Sequence, residues 1–218
     1  MDNLDLSVII DNLPFLWQGL QISLSLTALA VVGGIALGTF LALMRLSGFG
    51  PLSWVAAGYV NLIRSVPLIL VIFWFYFMVP LALGRPIGSF YSALIAFVMF
   101  EAAYYSEIIR AGIQSVRKGQ VHAGKAIGLS YWQIQRYVVL PQAFRNMIPI
   151  LVTQAIVLFQ DTSLVFVVSL RDFMTASSIV ARTEGRLAEM YLFAALVYFT
   201  ICFAGSIFVR RLQRAKTA

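Results

Sequence analysis

Charged residues, cysteine and histidine are all scarce in this chain. Only 11% of its 218 residues are charged, whereas 61% are hydrophobic, and the mean hydropathy is +0.87. A soluble domain of this length needs a charged surface that this composition cannot supply. The single cysteine, Cys202, excludes a disulfide framework and a multi-cysteine metal site. The composition therefore predicts an integral membrane protein.

Lysine and arginine are also absent from residues 1–12, which contain Asp2, Asp5 and Asp11 instead. A secretory signal peptide begins with a basic segment, so this composition argues against one. We expect the membrane spans themselves to direct insertion.

Long apolar runs are the main feature that the sequence does contain. A helix needs about 20 apolar residues to cross the roughly 30 Å hydrocarbon core of a bilayer. The runs predict five transmembrane helices, at approximately residues 19–44, 54–79, 89–109, 147–170 and 190–209. In the first of them, Gly33, Gly34 and Gly38 either pack closely against another helix or face lipid. We predict an all-α integral membrane protein with one transmembrane domain over residues 1–218.

Lysine and arginine are unevenly distributed between the two ends of these spans. If the N-terminus lies outside, 12 of the 16 basic residues lie inside, in agreement with the excess of basic residues in cytoplasmic loops. The basic residues that give the net charge of +7 lie at the ends of the apolar runs, as in a membrane protein. We therefore expect no nucleic acid partner. We predict an outer N-terminus, an inner C-terminus and a cytoplasmic loop at residues 111–141.

That loop is polar and basic, and its small residues favour contact with another surface. Ala123, Gly124 and Gly128 would let a partner approach the backbone closely, and Gly128 tolerates the left-handed conformation that ends helices. Pro141 lacks an N–H and restricts Leu140, which predicts a break before the next helix. The pattern indicates a short helix, a turn and a re-entry into the membrane, forming a docking element.

Four consecutive polar residues interrupt the fourth apolar run: Gln160, Asp161, Thr162 and Ser163. On a helix, four consecutive side chains cover most of the circumference, so some of them must face protein or water. Two interpretations remain open. The segment either lines a translocation pathway or holds the bundle together through hydrogen bonds between helices.

Glu101 lies about halfway along the third span, where a charge costs about 2.5–3.5 kcal/mol on insertion scales. Tyr105 lies on the same helical face, four residues further on. Glu101 either lines a solvated pathway or bonds to another helix inside the protein. Glu107 and Arg110 are three residues apart and are expected to form a structural ion pair.

The spacing within the loop carries a resemblance to a known family. A small-residue triplet, a glycine and an aliphatic pair leading into Leu140-Pro141 resemble the EAA loop of permease subunits of binding-protein-dependent ABC importers. His122 stands where the family has Glu, and Gly124 stands where it has Ala. Residues 141–145 are similar to the polar amino acid branch, and residues 100–114 and 158–163 look like glutamate/aspartate permease subunits.

The resemblance implies a type I ABC importer permease fold in the bacterial inner membrane and a role in glutamate/aspartate import. It implies a second permease subunit, either an identical copy or a related chain, together with two cytoplasmic ABC ATPases and a periplasmic amino-acid-binding protein. ATP and Mg would be bound by the ATPases. The residues that would couple this chain to the ATPase are His122, Ala123, Gly124, Gly128, Leu140 and Pro141. Those that would contribute to the pathway are Glu101, Tyr105, Gln160, Asp161, Thr162 and Ser163.

Other functional classes have weaker support in the sequence. The sequence of residues 119–126 is similar to the pattern of a phosphate-binding loop. However, Ala126 stands where that pattern has a magnesium-binding Ser or Thr, and no strand is expected before the segment. An intramembrane aspartyl protease needs two membrane-embedded aspartates, and only Asp161 qualifies. An intramembrane serine protease needs a basic partner for its nucleophile, and Ser163 has none within the membrane spans. We therefore expect no catalytic or metal site. An importer of another polar amino acid and a channel remain as alternatives.

Overall fold

The computed structural model describes residues 6–217, with side chains through residue 214, and every regular element in that range is helical. The α-helices in chain order are α1 (Ser7–Asp11), α2 (Leu13–Leu46), α3 (Gly50–Arg64), α4 (Leu68–Phe73), α5 (Val79–Leu83), α6 (Ser89–Gln114), α7 (Lys118–Ala126), α8 (Tyr131–Ile134), α9 (Leu140–Asp161), α10 (Phe173–Thr183) and α11 (Leu187–Thr217). π-Helical turns occupy Trp74–Met78 and Gln135–Val139, and a 3-10 segment occupies Thr162–Val168. The prediction of an all-α chain is confirmed.

Within the described range, four helical stretches are long and apolar enough to cross a membrane: Leu13–Leu46, Ser89–Gln114, Tyr131–Val168 and Leu187–Arg214. A fifth crossing arises if α3 and the stretch Leu68–Leu83 count as one span, and these two are bent by 105°. The sequence predicted one uninterrupted span there, over residues 54–79. Pro67 accounts for the bend, because it restricts Val66 and stands at the N-cap of α4, where its missing N–H costs no hydrogen bond.

Glycines on α2 allow the close packing of α2 against α6. A Cβ atom at Gly34 would lie 3.0 Å from the Cβ of Glu101, and one at Gly38 would lie 2.9 Å from the carbonyl oxygen of Ala102. A Cβ at Gly33 would lie 2.8 Å from a methyl group of Val98. Of the two interpretations left open by the sequence, close helix packing is the one observed.

An ion cluster ties α2, α3 and α6 together at the end of α6 nearest to α7. Glu107 accepts from Nη1 of Arg45 at 2.6 Å and from Nη2 of Arg110 at 2.6 Å, and Nη1 of Arg64 lies 3.5 Å from its Oε1. The predicted pair of Glu107 with Arg110 is confirmed. The two arginines from other helices could not be assigned from sequence spacing.

Helix α10 lies in the segment between the fourth and fifth spans, which the sequence analysis left without regular structure. Ser169 adopts a left-handed conformation with φ of 54° and ends the 3-10 segment. The buried side chain of Asp172 then caps α10 by accepting from the backbone N–H groups of Met174 and Thr175, each at 3.0 Å. Burial raises the pKa of Asp172 above its usual value, although these hydrogen bonds act in the opposite direction.

Candidate functional site

Helix α7 is held against α8 at the one buried position of α7, Gly124. A Cβ atom at Gly124 would lie only 3.1 Å from Cγ1 of Ile134, so a larger side chain would push the two helices apart. A small core of buried residues lies beneath them and contains Val116, Ile134, Val139 and Ala143. The loop is therefore a packed unit joined to the membrane helices.

Gly128 ends α7 in the way expected from the sequence. Its φ of +80° is left-handed, and its N–H donates to the carbonyl of Lys125 at 3.0 Å. The N–H of Leu129 donates to the carbonyl of Gly124 at 3.0 Å, which completes a Schellman motif. Nothing lies within 4 Å of a Cβ atom built at Gly128, so glycine is required there by backbone conformation rather than by space.

The chain differs from the prediction at Leu140 and Pro141. The sequence predicted a break before Pro141, but Tyr131–Val168 is one continuous helical stretch. A π-helical turn at Gln135–Val139 directly precedes Leu140, and Pro141 lies in the first turn of α9. Within this continuous helix the π-helical turn accommodates Pro141, because it changes the local hydrogen-bond pattern that proline would otherwise break. Both Leu140 and Pro141 are exposed.

The exposed surface of the loop combines aromatic, aliphatic and basic side chains. His122, Ala123 and Lys125 are exposed on α7. Ile127 is 77% exposed and Trp132 is 79% exposed, which is high for large apolar residues. Such a surface is typical of a contact site for another protein. We call the exposed residues His122, Ala123, Lys125, Ile127 and Trp132 the loop face.

A cavity of about 840 Å³ lies among the end of α9, the 3-10 segment, α10 and α11. Gln160 and Ser163, two of the residues singled out in the sequence, line it. They reach the same side because side chains three residues apart lie on the same face of a helix. The other polar lining residues are Thr175, Ser178, Arg182, Tyr191 and Tyr198.

The other two members of the polar cluster point elsewhere. Thr162 is fully buried, and its Oγ1 donates to the carbonyl of Phe159 at 2.7 Å. Asp161 is half-buried and is not among the lining residues. The four consecutive polar residues are therefore divided between a cavity wall and the protein interior.

Glu101 and Tyr105 lie inside the bundle rather than in the cavity wall, and both are fully buried. Nε2 of Gln154, on α9, donates to Oε1 of Glu101 at 3.1 Å. Within the described part of the chain, Oε2 of Glu101 and the hydroxyl of Tyr105 have no hydrogen-bond partner. Gly34 of α2 packs against both side chains. This geometry corresponds to the interpretation in which Glu101 bonds to another helix.

Sequence reasoning missed the contribution of α10 to the cavity. Thr175, Ser178 and Arg182 follow one another at intervals of three and four residues, so they form a polar stripe on α10. Phe173, Ala176, Ser177, Val180 and Ala181 form the buried face of the same helix. This amphipathic pattern was the available signal, but the segment is too short to be recognised as a membrane span.

Comparisons with known proteins identify relatives over nearly the whole chain. A family described as "Binding-protein-dependent transport system inner membrane component" matches residues 34–217. The chain is 51% identical to the glutamate/aspartate import permease protein GltK of Escherichia coli O157:H7, covering 98% of this chain and 99% of the relative. It is 35% identical to the arginine transport system permease protein ArtQ of Bacillus subtilis (strain 168), covering 97% and 98%.

Solved structures support the same assignment. An amino acid ABC transporter crystallised with histidines matches with a TM-score of 0.91 and 32% identity, covering 98% of this chain and 99% of the other. An inward-facing MetNI methionine ABC transporter shares the fold, with a TM-score of 0.71 at 19% identity. The resemblance drawn from the loop and the spans is confirmed. The chain belongs to the family of binding-protein-dependent transport system inner membrane components, the permease subunits of ABC importers.

Proposed function

We propose that this chain is the transmembrane subunit of an ATP-driven, binding-protein-dependent importer of glutamate and aspartate. The observation that carries the proposal is the 51% identity with a glutamate/aspartate import permease over 98% of this chain. The chain would form half of a translocation pathway and couple it to a separate ATPase. It would have no catalytic site and bind no metal of its own.

The loop face supports the coupling role. We place it in the cytoplasm, because 12 of the 16 basic residues then lie on the inner side. The exposed Ile127 and Trp132 offer apolar anchors, and His122 and Lys125 offer polar contacts at the rim. An ATPase subunit that binds ATP and Mg would dock there.

A continuous helix supplies the mechanical link between the loop and the cavity. The stretch Tyr131–Val168 begins next to α7 and ends beyond Gln160 and Ser163. Gly124 packs directly on Ile134 at its start. When ATP closes the ATPase pair, movement of α7 would shift this helix as a body, because packed helices transmit displacement rather than absorb it. The cavity wall would move with it.

The complete importer would contain two permease subunits, two ATPases and a periplasmic amino-acid-binding protein in the bacterial inner membrane. The second permease is either a copy of this chain or a related one. The binding protein would deliver the amino acid to the outer end of the pathway, where Gln160 and Ser163 line the cavity.

Transport by the reconstituted complex tests this proposal against a channel and against other substrates. Proteoliposomes holding both permease subunits and the ATPase should accumulate labelled glutamate only when ATP and the binding protein are both supplied. Unlabelled aspartate should compete, whereas arginine and glutamine should not. Flux without ATP or binding protein would identify a channel, and competition by arginine or glutamine would identify another amino acid importer.

A further inference from the structure

Arg182 is the one charged side chain among the residues that line the 840 Å³ cavity. It lies in the last turn of α10 and is exposed. Within the described part of the chain it has no ion-pair or hydrogen-bond partner. The acidic residue Glu189 is bonded to Arg186 at 3.3 Å instead. The cavity therefore presents a guanidinium group that no other described residue of the chain binds.

The rest of the polar wall consists of neutral groups. The hydroxyls of Ser178 and Tyr191 lie 3.3 Å apart, and Gln160 and Ser163 add an amide and a hydroxyl. The volume falls within the range of small-molecule sites, about 300–1,000 Å³. A ligand held here would meet one positive charge, several hydroxyls and no ionised acid from the lining residues. That combination favours an anionic ligand with polar substituents.

We propose that Arg182 binds a carboxylate of the transported acidic amino acid inside this cavity and thereby selects for acidic substrates. A guanidinium group presents paired N–H donors that match the two oxygens of a carboxylate. The second carboxylate and the ammonium group of the substrate would meet the amide and hydroxyl groups of the wall. The inference rests on the proposed function, because it takes the cavity to be part of the pathway.

A structural role for Arg182 is the competing explanation. A cation in the last turn of a helix interacts favourably with the helix dipole and so stabilises α10. That role predicts a change in thermal stability without a change in substrate recognition. Carboxylate binding predicts the reverse.

The test compares Arg182→Gln and Arg182→Lys with the control Arg171→Gln. Arg171 is also exposed and basic and lies one residue before the cap of α10, but it does not line the cavity. Each variant permease is purified with its ATPase and with the second permease where that is a separate chain. Equilibrium binding of labelled glutamate is measured without the binding protein, and the number of glutamate molecules transported per ATP is measured with the binding protein at saturation.

Arg182→Gln should weaken glutamate binding by about tenfold or more, equivalent to about 1.4 kcal/mol. It should also lower the transport-to-ATP ratio while leaving ATP hydrolysis stimulated by the binding protein. Arg182→Lys should retain most of both properties, and Arg171→Gln should match the unmodified protein. Thermal unfolding of all three variants should differ little.

Unchanged binding and an unchanged transport ratio in Arg182→Gln would overturn the inference, as would an equal loss in Arg171→Gln. A loss that follows thermal stability in every variant would assign Arg182 to the helix end instead. These outcomes differ from failure of the proposed function, because then the unmodified complex would itself show no ATP-dependent glutamate uptake.

Discussion

Nε2 of Gln154 on α9 donates a 3.1 Å hydrogen bond to Oε1 of Glu101 on α6. The two residues are 53 positions apart in the sequence, and Glu101 is fully buried. The bond joins two membrane helices through side chains that would otherwise be unsatisfied in an apolar interior. Glu101 and Gln154 therefore form a link within the bundle.

The first prediction concerns that link. Glu101→Ala leaves the Gln154 amide without its acceptor, which should destabilise the protein by about 1–3 kcal/mol. Glu101→Gln keeps an acceptor oxygen in place and should retain most of the stability. Thermal unfolding in detergent measures both. If the alanine variant unfolds at the same temperature as the unmodified protein, the hydrogen bond has no structural importance.

The second prediction concerns the packing of α7 against α8. Gly124→Val should displace Ile134, because even a Cβ atom would lie 3.1 Å from Cγ1 of that residue. The expected result is weaker co-purification of the ATPase and less transport per ATP hydrolysed. Gly119→Val on the same helix is the matched control, since nothing lies within 4 Å of a Cβ atom there. Equal effects of the two variants would exclude the packing explanation.

The third prediction concerns the end of α7. Gly128 has a φ of +80°, which costs a residue with a side chain roughly 1–2 kcal/mol. Gly128→Asp should weaken association with the ATPase in a pull-down while leaving membrane insertion intact. Gly128→Asn should have a smaller effect, because asparagine enters the left-handed region more readily. Full retention of the ATPase by the aspartate variant would count against docking through this loop.

The fourth prediction concerns Glu107, which faces Arg45, Arg64 and Arg110. Glu107→Gln leaves three guanidinium groups close together without a compensating charge. The expected loss is about 1.5–3 kcal/mol, the usual contribution of hydrogen bonds to charged groups. It should appear as a lower unfolding temperature, and Glu184→Gln, at an exposed position in the segment after α10, should cause no such loss. A smaller effect at Glu107 than at Glu184 would contradict the clustered arrangement.

Much of the architecture could be predicted from the sequence because a membrane span depends on the composition of its own segment. Apolar runs of sufficient length specify helices whatever their neighbours are, since lipid cannot satisfy a free backbone N–H or C=O group. The turn at Gly128 was predictable for a similar reason, because the left-handed conformation depends on the residue itself. The resemblance in the loop rested on spacing, which is also local.

The direction in which individual side chains point could not be predicted without the tertiary structure. Gln160 and Ser163 line the cavity whereas Thr162 is fully buried, and this division depends on which face of the helix meets α10 and α11. The uninterrupted helix through Pro141 depends on a π-helical turn that no composition rule predicts. Arg182 lines the cavity only because α10 packs beside the end of α9 and α11.

By itself, the sequence determined that this chain lies in a membrane as a helical bundle with a glycine-terminated polar loop, because these properties depend on each segment alone. Only the tertiary structure decided which glycines of α2 touch α6, which arginines surround Glu107 and which polar groups share one cavity. Contacts of this kind join residues that are dozens of positions apart, and they form only when the packing of several helices brings those residues together.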